Sequence, residues 1–346
     1  MLGCMRQSRI KVASAEAGAV YHCISRIVDK RFIFGEAEQE TFVQFLREYE
    51  QFCGVQILTY TLMSNHFHLL VEVPKRPETL PDSQEVLRRL KVLSGTAITA
   101  GKAQQMLAMF ATARDEPGAA AYLEQFYRRM WDVSEFMKLL KQRFTQWYNR
   151  KVERQGTLWE DRFKSVLVEG EGEALLTMAA YIDLNPVRAG LVSDPAEYRW
   201  SGYGEAMAGR RGAKEGLRRL YGLGVRSLEV SATEALRGYR VRVFAQGEAG
   251  LEGTDAEGKP LRRGLEREAV VRMLSQHGRM GVSEYVQCRV RYFTDGVALG
   301  SRGFVEGVFG RFRGHFSLGR KTGARRMRGL EPELFTVRAL RVDVFG

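Results

Sequence analysis

Leu62-Met63-Ser64-Asn65-His66-Phe67-His68-Leu69-Leu70-Val71-Glu72-Val73 is an apolar run holding two imidazoles one residue apart. Its reading decides the fold. Strand side chains alternate faces, so His66 and His68 point to one side while Phe67 and Leu69 point to the other. Strand rise puts the two rings about 7 Å apart, within reach of one shared metal ion. Two hydrogen-bonded core histidines would fit the same pattern. The chain has only five histidines, however, and a polar pair in an apolar strand costs free energy unless it is satisfied. Ser64-Asn65 reads as a tight turn, which pairs this strand with Val55–Met63 as a hairpin.

Working outward, Ala19–Ile27 reads as a strand that ends in the basic turn Asp29-Lys30-Arg31. Residues 36–52 carry helical apolar spacing at Phe42, Phe45, Leu46, Tyr49 and Phe52, and Gly54 is a natural stop. Strand, helix, strand, turn, strand begins a ferredoxin-like α+β layer. Residues 74–132 change texture and read as a helical insertion. Residues 133–152 form a helix with an apolar stripe from Phe136 to Trp147 and basic residues elsewhere. Residues 158–168 are expected to be a strand, and 171–184 a helix ended by the Asn185-Pro186 step. This gives a core domain over 1–205. Beyond it come a variable Gly- and Arg-rich linker region over 206–265 and a basic, mainly helical extension over 266–346.

Composition narrows the class. The 346 residues are 45% hydrophobic, enough for a core, and carry a formal net charge of +12, which suits a polyanionic partner. No apolar run has membrane-spanning length and no secretory leader is visible, so a cytoplasmic protein is expected. Cys4, Cys23, Cys53 and Cys288 form neither a metal spacing nor a disulfide framework. Residues 301–346 hold about ten Arg and Lys against four acids, which fits either a nucleic-acid contact region or a solvated helical cap.

Tyr181 and Asn185 lie four apart on one helical face, beside the stripe Leu175, Met178 and Ile182. A tyrosine hydroxyl there could reach a metal held by His66 and His68, with Asn185 adding an oxygen. Two imidazoles and an amide oxygen suit Mg²⁺ or Mn²⁺ better than a structural zinc. A packed core tyrosine would show the same spacing.

Three longer stretches go further. Tyr60 to Val71, Gly156-Thr157-Leu158-Trp159-Glu160-Asp161-Arg162-Phe163-Lys164-Ser165, and Tyr181 to Val192 closing on Trp200-Ser201 together resemble the REP-associated tyrosine transposases. These belong to the single-tyrosine HUH endonuclease superfamily, and the resemblance covers about residues 18–205. It implies that His66 and His68 are metal ligands, Tyr181 is the nucleophile, and Asn185 is the third ligand where related transposases have a glutamine. Tyr148, on a helix with a nearby amide, is the rival nucleophile.

The implied activity is metal-dependent cleavage and rejoining of single-stranded DNA through a 5′-phosphotyrosine, on palindromic repeats that form hairpins. Arg143, Arg162, Lys164 and Arg188 are the expected backbone contacts. Trp159 and Trp200 could stack on unpaired bases, though burial is the commoner state of such residues. The protein is expected to act as a monomer or homodimer. Two other readings compete: a non-catalytic hairpin-binding module on the same fold, and a replication initiator or relaxase. The intact His66, His68, Tyr181 and Asn185 weigh against the first. The missing phosphate-binding Gly-Lys-Ser/Thr loop weighs against a helicase fused to the second.

Overall fold

The computed structural model describes residues 9–94, 100–112, 117–227, 229–247, 291–327 and 333–338. Strands β1 (Ala19–Arg26), β2 (Gln56–Leu62), β3 (His66–Val73) and β4 (Lys164–Val168) lie in the order β2-β3-β1-β4, every neighbour antiparallel. Helix α1 (Glu36–Cys53) joins β1 to β2, and α5 (Val133–Lys151) precedes β4. The result is the βαββαβ ferredoxin-like arrangement expected from the hairpin reading. Three helices, α2 (Ser83–Ser94), α3 (Ala100–Ala111) and α4 (Pro117–Tyr127), occupy the insertion between β3 and α5.

Alternation sorts the side chains into two layers. Tyr21, Cys23, Tyr60, Phe67, Leu69 and Val71 face α1 and α5, where Phe42 packs on Phe67 with ring centroids 4.8 Å apart. Val20, Leu70, Val166 and Val168 face α6 (Gly172–Asp183) on the other side. Asp132 caps α5, its carboxylate accepting from the amides of Ser134 and Glu135. Gly54 ends α1 in the left-handed region, at φ 64°. Helix α6 stops at Asp183, and the one-turn α7 (Asn185–Arg188) restarts with Pro186 in its first turn.

Three expectations change. The strand expected over 158–168 is a strand only from Lys164; before that, Trp159 makes a single bridge to Ile27 and hydroxyl and carboxylate groups bond the local backbone. The linker expected over 206–265 is folded as far as residue 247. Helices α8 (Gly202–Met207), α9 (Arg211–Val225) and α10 (Ala232–Gly247) cover the α6 layer, α9 lying across β2. Several glycines there serve close packing. A Cβ on Gly216 would sit 2.3 Å from the Ile57 carbonyl oxygen, and one on Gly224 would sit 2.4 Å from Leu176. Residues 248–265 lie outside the described residues. In the extension, α11 (Arg291–Thr294) and α12 (Arg302–Arg311) are accompanied by β5 (Ala298–Gly300), β6 (Arg325–Arg326) and β7 (Phe335–Val337), which had no counterpart in the sequence reading. These strands continue the sheet as β4-β5-β7-β6, with β5 parallel to β4. No described helix is long and apolar enough to cross a membrane.

Candidate active site

The site begins with strand register. His68 pairs with Ile24 of β1, which pairs with Lys164 of β4; His66 pairs with Arg26. Face alternation puts His66, His68, His22, Arg26 and Lys164 on the side of the sheet that carries α6. Two threonines of β2 fix α6 there: Thr61 donates to the Ile182 carbonyl (2.8 Å) and Thr59 to the Asp183 carboxylate (2.6 Å). Tyr239 of α10 donates to the other carboxylate oxygen at 2.6 Å. Tyr181 is thereby held against the imidazoles, its ring 5.8 Å from that of His68 and 5.9 Å from that of His22.

Both sequence-identified imidazoles are engaged at Nδ1. His66 Nδ1 meets Asn65 Oδ1 at 2.7 Å, and the Asn65 amide is oriented by its own donation to the Lys30 carbonyl. His68 Nδ1 meets His22 Nε2 at 2.9 Å, and His22 Nδ1 meets the Phe293 carbonyl at 3.0 Å. The His66 and His68 rings are 5.2 Å apart and near perpendicular. Burial, aided by Arg26 and Arg188, pushes His66 down to about 4. Burial and the neighbouring histidines hold His68 well below the usual imidazole range. Both are therefore neutral near pH 7, the state a metal ligand requires.

The donor chemistry fits a divalent ion. Each ring anchored at Nδ1 keeps Nε2 as the remaining nitrogen, the usual arrangement of metal-binding histidines. Asn185 is buried, and its Nδ2 donates to the Tyr181 and Ile182 carbonyls (3.0 and 3.1 Å). This fixes Oδ1 as the outward atom, where it accepts from Arg188 at 3.3 Å. Among the described residues no group of three or more His, Cys, Asp and Glu side chains is placed to hold a metal. The groups that would hold such an ion are the two imidazoles and an amide oxygen, a donor set unlike the four N/S ligands of a structural zinc.

Tyr181 is 1% exposed. Phe293 stacks on its ring at 4.5 Å and 11°, and the Arg188 guanidinium lies 5.1 Å over the ring. Burial raises the phenol pKa, and Arg188 opposes that rise through its charge and a hydrogen bond.

The other sequence candidates divide. Arg188 is at the site. Lys164 is exposed on the site's face in the row of His68, and Arg162 lies in the turn just before it. Arg143 is on α5, in the opposite layer, over the Phe45 ring at 5.2 Å. The rival Tyr148 is also on α5, stacked on Phe144 and away from the imidazoles. Trp159 is a core residue donating to Thr145 Oγ1 (2.9 Å), and Trp200 is half-buried under Arg199. Sequence reasoning missed His22, Arg26 and Phe293. Period-two counting along β1 does place His22 and Arg26 on one face. No sequence signal marks a backbone carbonyl as the partner of a histidine 271 residues away.

Residues 16–105 match the family model described as Transposase IS200 like. That stretch holds His22, His66 and His68; Tyr181 and Asn185 lie outside it. No curated protein matches the chain. One solved structure, "Structure of the REP associates tyrosine transposase bound to a REP hairpin", is similar at 13% identity. It covers 60% of this chain and 88% of its own, with a TM-score of 0.38, too slight a likeness to argue from.

Proposed function

We propose, from an IS200-like transposase segment over residues 16–105, that this chain is a single-tyrosine DNA endonuclease and strand transferase acting on hairpin-forming single strands. The observation that carries the reading is the convergence of Tyr181 with two neutral imidazoles that both keep Nε2 available. His66, His68 and the Asn185 amide oxygen would hold Mg²⁺ or Mn²⁺, which when bound polarises the scissile phosphate and offsets its developing charge.

The chain's own residues do the rest. Tyr181 Oη attacks phosphorus in line, a P–O bond to the phenol forms, and the P–O3′ bond breaks. The phenol proton passes to solvent, and the departing 3′-oxygen takes one up. A 5′-phosphotyrosine and a free 3′-hydroxyl result. The ester retains the energy of the original bond, so a second 3′-hydroxyl rejoins the strand without a nucleotide cofactor. With an ordinary pKa near 10, further raised here by burial, the phenol needs help to ionise. Arg188 supplies a fixed positive charge at the ring, and Arg26 and Lys164 add a basic rim for the phosphate backbone.

The test is trapping of a covalent protein–DNA adduct on a denaturing gel, using single-stranded hairpin DNA from sequence flanking the gene, with Mn²⁺. An EDTA-sensitive adduct lost in Tyr181→Phe is expected. Loss in Tyr148→Phe alone would move the nucleophile. The covered state of Tyr181 favours a second reading, a hairpin-binding protein that does not cut; hairpin binding without adduct under any metal would select it.

A further inference from the structure

His22 has no ring nitrogen left for an ion: it is completely buried and bonded at both ring nitrogens. The partners fix where its proton sits. A carbonyl oxygen only accepts, so His22 Nδ1 carries the hydrogen given to Phe293. A neutral imidazole has one N–H, so His22 Nε2 is an acceptor, and the hydrogen between the two rings belongs to His68 Nδ1. His68 Nε2 is then left with its lone pair.

We propose that His22 is a positioning residue for the metal centre: the relay Phe293 carbonyl–His22–His68 locks His68 in the tautomer that offers Nε2 to the ion. The inference deepens the proposed function and rests on its metal site. It also gives the C-terminal extension a constructive part in that site. Phe293 precedes β5, and β5 is anchored to β4 by parallel pairing. The extension thus delivers one carbonyl to His22 as well as one ring against Tyr181. His66 needs no such relay, because its own turn provides the Asn65 amide. The two ligands are set by different means, one local and one across the fold.

Three variants separate the relay from packing. His22→Leu keeps bulk and removes both polar atoms, so nothing holds the His68 proton on Nδ1. His22→Gln retains an acceptor for His68 and a donor for Phe293. Phe293→Ala removes the ring but keeps the backbone carbonyl. Binding of Mn²⁺ alone to the full chain, read by electron paramagnetic resonance of the free ion, is the primary measurement. His22→Leu is expected to weaken binding about 10–100-fold, while His22→Gln and Phe293→Ala stay within about threefold of the parent. Unchanged binding in His22→Leu, or an equal loss in His22→Gln, would overturn the relay.

The second measurement needs no substitution. Long-range ¹H–¹⁵N correlation of the imidazoles in the metal-free protein should show His68 protonated at Nδ1; a proton at Nε2 overturns the inference, whether or not His22→Leu folds. If the parent binds no Mn²⁺, or His66→Ala binds it equally well, the metal reading fails on its own. The tautomer of His68 then still decides whether His22 sets its orientation.

Discussion

Asp183 offers a test of how the helix bearing Tyr181 is held. It is wholly buried at the end of α6 and accepts from Thr59 and Tyr239 at 2.6 Å each. Burial raises its carboxyl to about 7, with the hydrogen bonds opposing the rise. A folded-state pKa above the unfolded one means that the folded protein holds the extra proton between about pH 4 and 7. Stability from this group is therefore fully present below pH 4 and is lost as pH rises through 7. The span from 3.8 to about 7 corresponds to about 4 kcal/mol at most, a large share of the 5–15 kcal/mol typical of a domain.

Asp183→Asn imitates the protonated form, its oxygen accepting from Thr59 and its amide donating to Tyr239 Oη. Urea unfolding of both proteins at half-unit steps from pH 4.5 to 8 reads the difference directly. The variant should differ least from the parent near pH 4.5 and exceed it by a growing margin, about 1–4 kcal/mol, at pH 8. Parallel stability curves across that range would refute the reasoning, because they would mean that the carboxyl titrates alike in both states.

Other outcomes follow from the same geometry. Arg188→Met removes the cation over Tyr181 and the donor to Asn185 Oδ1; adduct formation should slow about tenfold or more while hairpin affinity falls only slightly, read by single-turnover trapping. Arg26→Gln and Lys164→Gln should each lower the slope of log affinity against log salt by about 0.7 on single-stranded DNA. Arg143→Gln, on the far layer, should leave that slope unchanged; a drop there would place DNA on the wrong face. Gly216→Ala drives a Cβ toward the Ile57 carbonyl and should cost about 1–3 kcal/mol or more in urea unfolding.

How much was legible in the sequence differs from element to element. Periodicity is local, so the alternation of His66-Phe67-His68 and the 3.6-residue stripes of α1, α5 and α6 specified the elements and the face each residue takes. Helical spacing also read Tyr181 and Asn185 as one face, but the chain breaks at Leu184, and Asn185 opens α7 with its amide donating back to the Tyr181 carbonyl. The Gly-rich stretch after 205 misled because glycine has two uses, chain freedom and close approach, and only its neighbours distinguish them. At Gly216 and Gly224 the neighbours are a strand carbonyl and a leucine on other elements.

Long-range pairing was beyond any local pattern. That α5 and its arginine lie in the layer away from Tyr181 follows from the order β2-β3-β1-β4, which register and crossover set. The partners of His22 come from β3 and from the segment before β5, and the cover over Tyr181 comes from that same segment. The sequence by itself determined which face of its strand or helix each candidate residue takes, since side-chain type and period are properties of the chain. The tertiary structure decided which nitrogen each imidazole presents, because a tautomer is set by the hydrogen-bond partner that folding brings to the other side of the ring.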